Sequence, residues 1–204
     1  MAAEYDFPSV SAQFCTGGTF VSCVRYGEGH INDTFKLTVN DNGIEKHYIL
    51  QRINNRLFAD VDKLMHNIEL VTDFCRKSVE KRGGDPLREC LMLVRTKDGK
   101  SFYFDGENYF RMYVCIENAT SYQVVRDPAD FYESARAFGG FASLLADFDA
   151  SQLYEILPDF HNTKVRYANF LRAMEKDVCG RKNEVQKEVD WVISHKDLCG
   201  KIVD

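Results

Sequence analysis

The run Tyr26 to Phe35, Y-G-E-G-H-I-N-D-T-F, holds two glycines one residue apart between segments that alternate like strands. Such a turn bends sharply and brings bare N–H groups against an anion. It is the layout of a hairpin laid over phosphates, and equally that of a plain turn between strands. His30, Asn32, Asp33 and Thr34 follow and cap the turn. Arg52 stands at the end of an apolar strand run, where it either reaches phosphates beneath the glycine turn or faces solvent. Glu69 lies in an amphipathic stretch, where it either pairs with Arg52 or is simply solvated. Met112 to Ile116, M-Y-V-C-I, runs into Glu117. Its backbone groups suit a purine edge between walls of Tyr113 and Val114, or it is a last strand and loop. Phe160-His161-Asn162-Thr163, with Arg166 after it, is either a contact for an anionic or hydroxylated substrate or a helix start capped by Thr163.

Several elements must position these residues. After a helical turn or two at Val10 to Cys15, Thr19–Arg25, Thr34–Val39 and Lys46–Ile53 read as three antiparallel strands. Asn42-Gly43 marks the second bend, because that pair accepts positive φ at low cost. From Ala59 the apolar spacing changes to three and four residues, which predicts a helix ending near Arg82-Gly83-Gly84. Strands resume at Glu89–Arg95, Ser101–Phe104 and Asn108–Ile116. Asp127-Pro128 then opens a long helix to Ala146, with Phe131, Ala135, Phe138, Phe141, Ala142 and Leu145 on its expected buried side. Helices follow at Val165–Lys176 and Asn183–Ser194. Strands with one helix, then helices only, make an α+β arrangement with its boundary at 116/117.

The 204 residues suit one medium domain, or one small domain followed by part of another. A formal charge of −5 speaks against a nucleic-acid backbone as partner. No window is long and apolar enough for a membrane span, and the first residues lack the pattern of a secretory signal. Seven scattered cysteines, without a C-x-x-C pair, read as small core residues of a reduced, cytoplasmic protein with no metal cluster.

Y-G-E-G-H-I-N-D-T-F, Y-I-L-Q-R-I-N-N and D-V-D-K-L-M-H-N-I-E together resemble the aminoglycoside phosphotransferase and choline kinase superfamily, nearest its N-acetylhexosamine 1-kinase-like sugar kinases. F-R-M-Y-V-C-I-E-N-A-T-S-Y, A-R-A-F-G-G-F and L-P-D-F-H-N-T extend the likeness along nearly the whole chain. The resemblance implies a protein-kinase-like N-terminal lobe over residues 1–116, the helical start of a second lobe over 117–204, and ATP with Mg2+ as cofactors. It also implies an acceptor that is a small hydroxylated substrate, an N-acetylhexosamine foremost. On it Gly27, Glu28, Gly29, His30, Ile31 and Asn32 form the nucleotide loop, Arg52 the phosphate-contacting cation and Glu69 its helix partner. Tyr113, Val114 and Cys115 belong to the hinge, and His161, Asn162 and Arg166 are substrate candidates. The family's H-N-D-x-K-x-x-N and I-D-x-D segments, which carry the catalytic and metal-binding aspartates, do not occur in these 204 residues. The expectation is therefore the N-terminal portion of a sugar kinase, inactive alone, with a surface open to self-association around Trp191 and Val192. A non-catalytic nucleotide- or metabolite-binding module is the alternative, and an oligomerising scaffold the third possibility.

Overall fold

The computed structural model describes residues 5–120, 122, 124, 125, 127–201 and 203. Ser121, within the run Phe110 to Tyr122, lies outside them. The architecture is α+β, built on a five-stranded antiparallel sheet of order β1-β2-β3-β5-β4. Its strands are β1 (Thr19–Arg25), β2 (Asp33–Asp41), β3 (Ile44–Ile53), β4 (Tyr103–Phe104) and β5 (Tyr109–Val114). Helix α1 (Phe7–Ser11) precedes the sheet, and α2 (Val61–Lys81) and α3 (Pro86–Glu89) interrupt it. Helices α4 (Pro128–Leu144), α5 (Thr163–Lys176) and α6 (Gln186–Ser194) complete the chain. No helix among the described residues is long and apolar enough to cross a membrane.

The middle strand, β3, organises the sheet. Successive side chains of a strand point to opposite faces, and both faces here are apolar for different reasons. Tyr48 and Leu50 point to one face with Phe35, Leu37, Phe110 and Met112, where Val10 and Phe14 of the N-terminal segment close the larger core. Ile53 points to the other face and joins Val61 and Met65 of α2 in a second core. The β2–β3 turn falls at Asn42-Gly43, both at positive φ, as the dipeptide predicts. Helix α2 begins where the Asp60 side chain accepts the Lys63 N–H at 3.0 Å, and Gly83 at φ +76 follows its end.

Three elements depart from their sequence signals. The leader helix lies at 7–11, with Asp6 as its cap, upstream of the expected Val10–Cys15. The expected strand at Glu89–Arg95 reduces to a bridge between Leu93 and Tyr113, because α3 takes up its first residue. Helix α4 forms where expected, under an Asp127 cap, but its apolar stripe is not buried. Phe131 is 66% and Phe138 75% exposed. Apolar spacing specifies a stripe, while burial needs a second surface; at the C-terminal end of α4, Phe141 and Leu144 line a cavity together with α2.

By compactness the chain divides at 156/157 rather than at 116/117. Strands stop at 114, yet the following segment stays with the sheet unit. The Asn67 amide of α2 donates to the Tyr154 carbonyl at 2.8 Å and accepts the Tyr154 N–H at 2.9 Å, and Phe74 meets Phe148 edge-on at 5.2 Å. In the second unit α5 and α6 stand among short 3-10 turns, and the Thr163 hydroxyl donates to the Cys199 carbonyl. Trp191 is exposed and Val192 half-buried there. The cysteines are all free, but only Cys75 and Cys115 are fully buried; Cys15 and Cys179 are exposed.

Leu50 is fully buried at the centre of the larger core. Leu50→Ala should lower unfolding free energy by about 2–5 kcal/mol, read from urea denaturation. A loss below about 1 kcal/mol would place the core elsewhere.

Candidate functional site

A cavity of about 370 Å³ lies on the α2 side of the sheet. Tyr26, the last residue before the glycine turn, forms one wall, and Ile49 and Gln51 of β3 form its roof with Arg111 and Tyr113 of β5. Val114, Cys115 and Ile116 close the far side. Pairing explains the roof. Gln51 stands opposite Arg111 and Ile49 opposite Tyr113, so all four share one face. The Cys115 N–H is spent on the His47 carbonyl at 3.1 Å. Ile116, the next residue along, has no backbone partner among the described residues. Its N–H and C=O are the groups a planar heterocycle edge needs.

The glycine turn stands at one end of this cavity. Gly27 takes φ +74, which a side chain would strain, and a Cβ at Gly27 or Gly29 would meet open space. The turn is closed by the Tyr26 N–H on the Thr34 carbonyl at 2.9 Å, and Asn32 holds its far side by accepting the Asn54 N–H at 3.0 Å. Glu28, His30 and Ile31 are exposed along it.

The pairing expected between Arg52 and Glu69 does not form. Arg52 is next to Gln51, so the pleat sends it to the opposite face, where Asp33 is its direct partner across β2. Its Nε donates to Asp33 Oδ2 at 2.9 Å. Asp33 also accepts from Arg25 at 2.8 Å and from the Tyr5 hydroxyl at 3.0 Å. Burial alone would raise the Asp33 carboxyl, but these three donors override it and hold the group below its ordinary range. Glu69 pairs instead with Arg95 at 2.8 Å. Neither Arg52 nor Glu69 lines the cavity.

The cation that does reach the cavity is Arg111, which sequence reasoning missed. Its Nε donates to Gln51 Oε1 at 3.0 Å, and Gln51 in turn donates to the Thr34 hydroxyl at 3.0 Å. The guanidinium sits 5.4 Å from the Tyr113 ring centre. Among the described residues it has no carboxylate partner, and burial pushes it below its ordinary value. The signal was present in R-M-Y-V, whose period of two places Arg111 and Tyr113 on one face.

The polar cluster after Pro158 is a helix start. Asn162, not Thr163, is the cap, accepting the Val165 N–H at 3.2 Å. The Arg166 Nε donates to the Phe160 carbonyl at 2.7 Å, with the guanidinium over the Phe160 ring. His161 stands edge-on to the same ring at 4.7 Å. These residues belong to the second unit, the cavity to the first. Among the described residues no three His, Cys, Asp or Glu side chains converge as a metal site. A comparison with protein-family models finds no match for the chain.

Asp33 anchors the turn through three donors, so Asp33→Asn should cost about 1–3 kcal/mol. Because its folded pKa is lowered, its stabilisation is present above the unfolded value of roughly 3.9 and is lost as pH falls through the folded value. Urea midpoints measured from pH 7 downward should fall less steeply near that limit for the variant than for the wild type. Parallel curves would remove Asp33 from the acid limb.

Proposed function

We propose that this chain supplies the nucleotide-covering lobe of an ATP-dependent small-molecule phosphotransferase of protein-kinase-like organisation. The observation that carries the reading is one cavity walled by the residue before the glycine turn, the inner face of β3 and Ile116, whose backbone has no partner among the described residues. A turn with bare N–H groups suits phosphates. Ile49, Tyr113 and Val114 suit the faces of a purine, and Ile116 its hydrogen-bonding edge. The five-stranded antiparallel sheet with α2 beneath it supports the kinase-like lobe, as do the motifs that resemble N-acetylhexosamine 1-kinases. On that resemblance the acceptor is an amino sugar.

In this reading Arg52 acts through Asp33, fixing the end of the glycine turn rather than touching phosphate. When bound, ATP would supply the transferable phosphoryl group. Among the described residues no three His, Cys, Asp or Glu side chains converge, and the 204 residues contain no H-N-D-x-K-x-x-N aspartate to take an acceptor proton. What this chain's residues do is bind the base, cover phosphates and exclude water.

Titration calorimetry with ADP should give saturable one-to-one binding. Ile49→Trp, which fills the roof of the cavity, should weaken it at least about 10-fold, a loss of about 1.4 kcal/mol. Arg52→Ala should reduce stability more than affinity. The chain by itself should show binding without phosphorylation of N-acetylhexosamines. Absence of saturable ADP binding, or equal binding by Ile49→Trp, would remove the nucleotide reading.

A further inference from the structure

Behind the hinge cavity lies a second one, of about 540 Å³, within the range of about 300–1,000 Å³ typical of small-molecule sites. One wall is a face of α2, with Ile68, Val71 and Cys75, and the facing wall is Phe141 and Leu144 of α4. Most polar atoms on this lining are already engaged. The Thr72 hydroxyl donates to the Ile68 carbonyl at 2.7 Å, and the Asn67 amide is spent on the Tyr154 backbone. Cys90 donates its thiol to the Pro86 carbonyl at 3.3 Å. Glu89, at the exposed rim, is neutralised by Arg82 and accepts the Asp85 N–H at 2.9 Å.

One charged group remains at the inner end. The Arg111 guanidinium uses its Nε on Gln51 and has only the Met65 sulfur, at 4.0 Å, near Nη1. No carboxylate meets it among the described residues. The adjoining Tyr113 is 5% exposed, and its hydroxyl also has no protein partner among them. A guanidinium offers five donors in a planar fork suited to a carboxylate. The guanidinium is half-buried, and with no carboxylate beside it among the described residues its free donors are open to an anion entering the cavity.

We propose that this cavity is a binding site for a small amphipathic carboxylate. Its apolar body lies between α2 and α4, and its carboxylate rests on Arg111 with the Tyr113 hydroxyl beside it. The apolar walls of the site, on α2 and α4, are its own, while Leu91, Arg111 and Tyr113 also line the hinge cavity. The probes below are therefore titrated in the absence of nucleotide, and Val71, which lines this cavity alone, separates the two sites.

The test is calorimetric titration of the whole chain, without nucleotide, with phenylbutyrate and with the uncharged phenylbutanol. The carboxylate should bind saturably, and at least about 10-fold more tightly than the alcohol, as a charge-assisted hydrogen bond requires. Arg111→Met, its folding checked by circular dichroism, should erase that preference while still admitting the alcohol. Val71→Phe, which fills this cavity and leaves the hinge cavity untouched, should abolish both. Equal affinity for the two probes, no saturable binding, or unchanged phenylbutyrate binding in Val71→Phe would each overturn the proposal. So would a folded Arg111→Met that keeps the preference. Should Arg111→Met fail to fold, the wild-type comparison and Val71→Phe decide.

Discussion

The pleat of the central strand is the constraint on which the rest depends. Gln51 and Arg52 are neighbours in sequence, yet a period of two sends them to opposite faces of the sheet. One face, sealed by the N-terminal segment, receives Arg52 and matches it with Asp33 across β2. The other face, under which α2 packs, receives Gln51 and places it between Thr34 and Arg111. A one-residue slip would exchange the two sets and bring Arg52 into the cavity. The register is held against that slip by Tyr48, Leu50 and Phe110, which would all be forced out of the larger core.

Arg52 and Arg111, on opposite faces, are held in different ways. On the sealed face a single carboxylate, Asp33, gathers Arg25, Arg52 and the Tyr5 hydroxyl. That cluster ties the end of the glycine turn to the body of the sheet. On the open face Arg111 is held by a neutral amide and an aromatic ring, both weaker partners than a carboxylate. The same sheet thus separates the Asp33 cluster from Arg111 by the thickness of a strand.

Local signals were legible. The strands β1 to β3, the Asn-Gly turn, the long α2 and the capped start of α4 all follow from alternation, turn chemistry and caps that act within a few residues. Among site residues, the hinge run Tyr113 to Cys115 was legible as an apolar strand end and does line the cavity. Arg52 and Glu69 were read as a pair because one ends an apolar strand run and the other lies on the helix that follows. Partner choice was settled by cross-strand register for Arg52 and by the nearness of Arg95 for Glu69. The stripe of α4 misled for another reason, since periodicity names a face without supplying what covers it.

By itself the sequence determined strands β1 to β3, helix α2, the capped start of α4, the Asn-Gly turn, and a glycine-bent hairpin followed by an apolar run. These depend on backbone preferences and on periods of two or 3.6 residues, which are written locally. Tertiary structure alone decided which cation faces the cavity and which carboxylate takes which arginine. It also decided that α2 and α4 leave a second space between them. Those outcomes depend on register between strands and on distances between elements far apart in the chain, and no short run of residues encodes either.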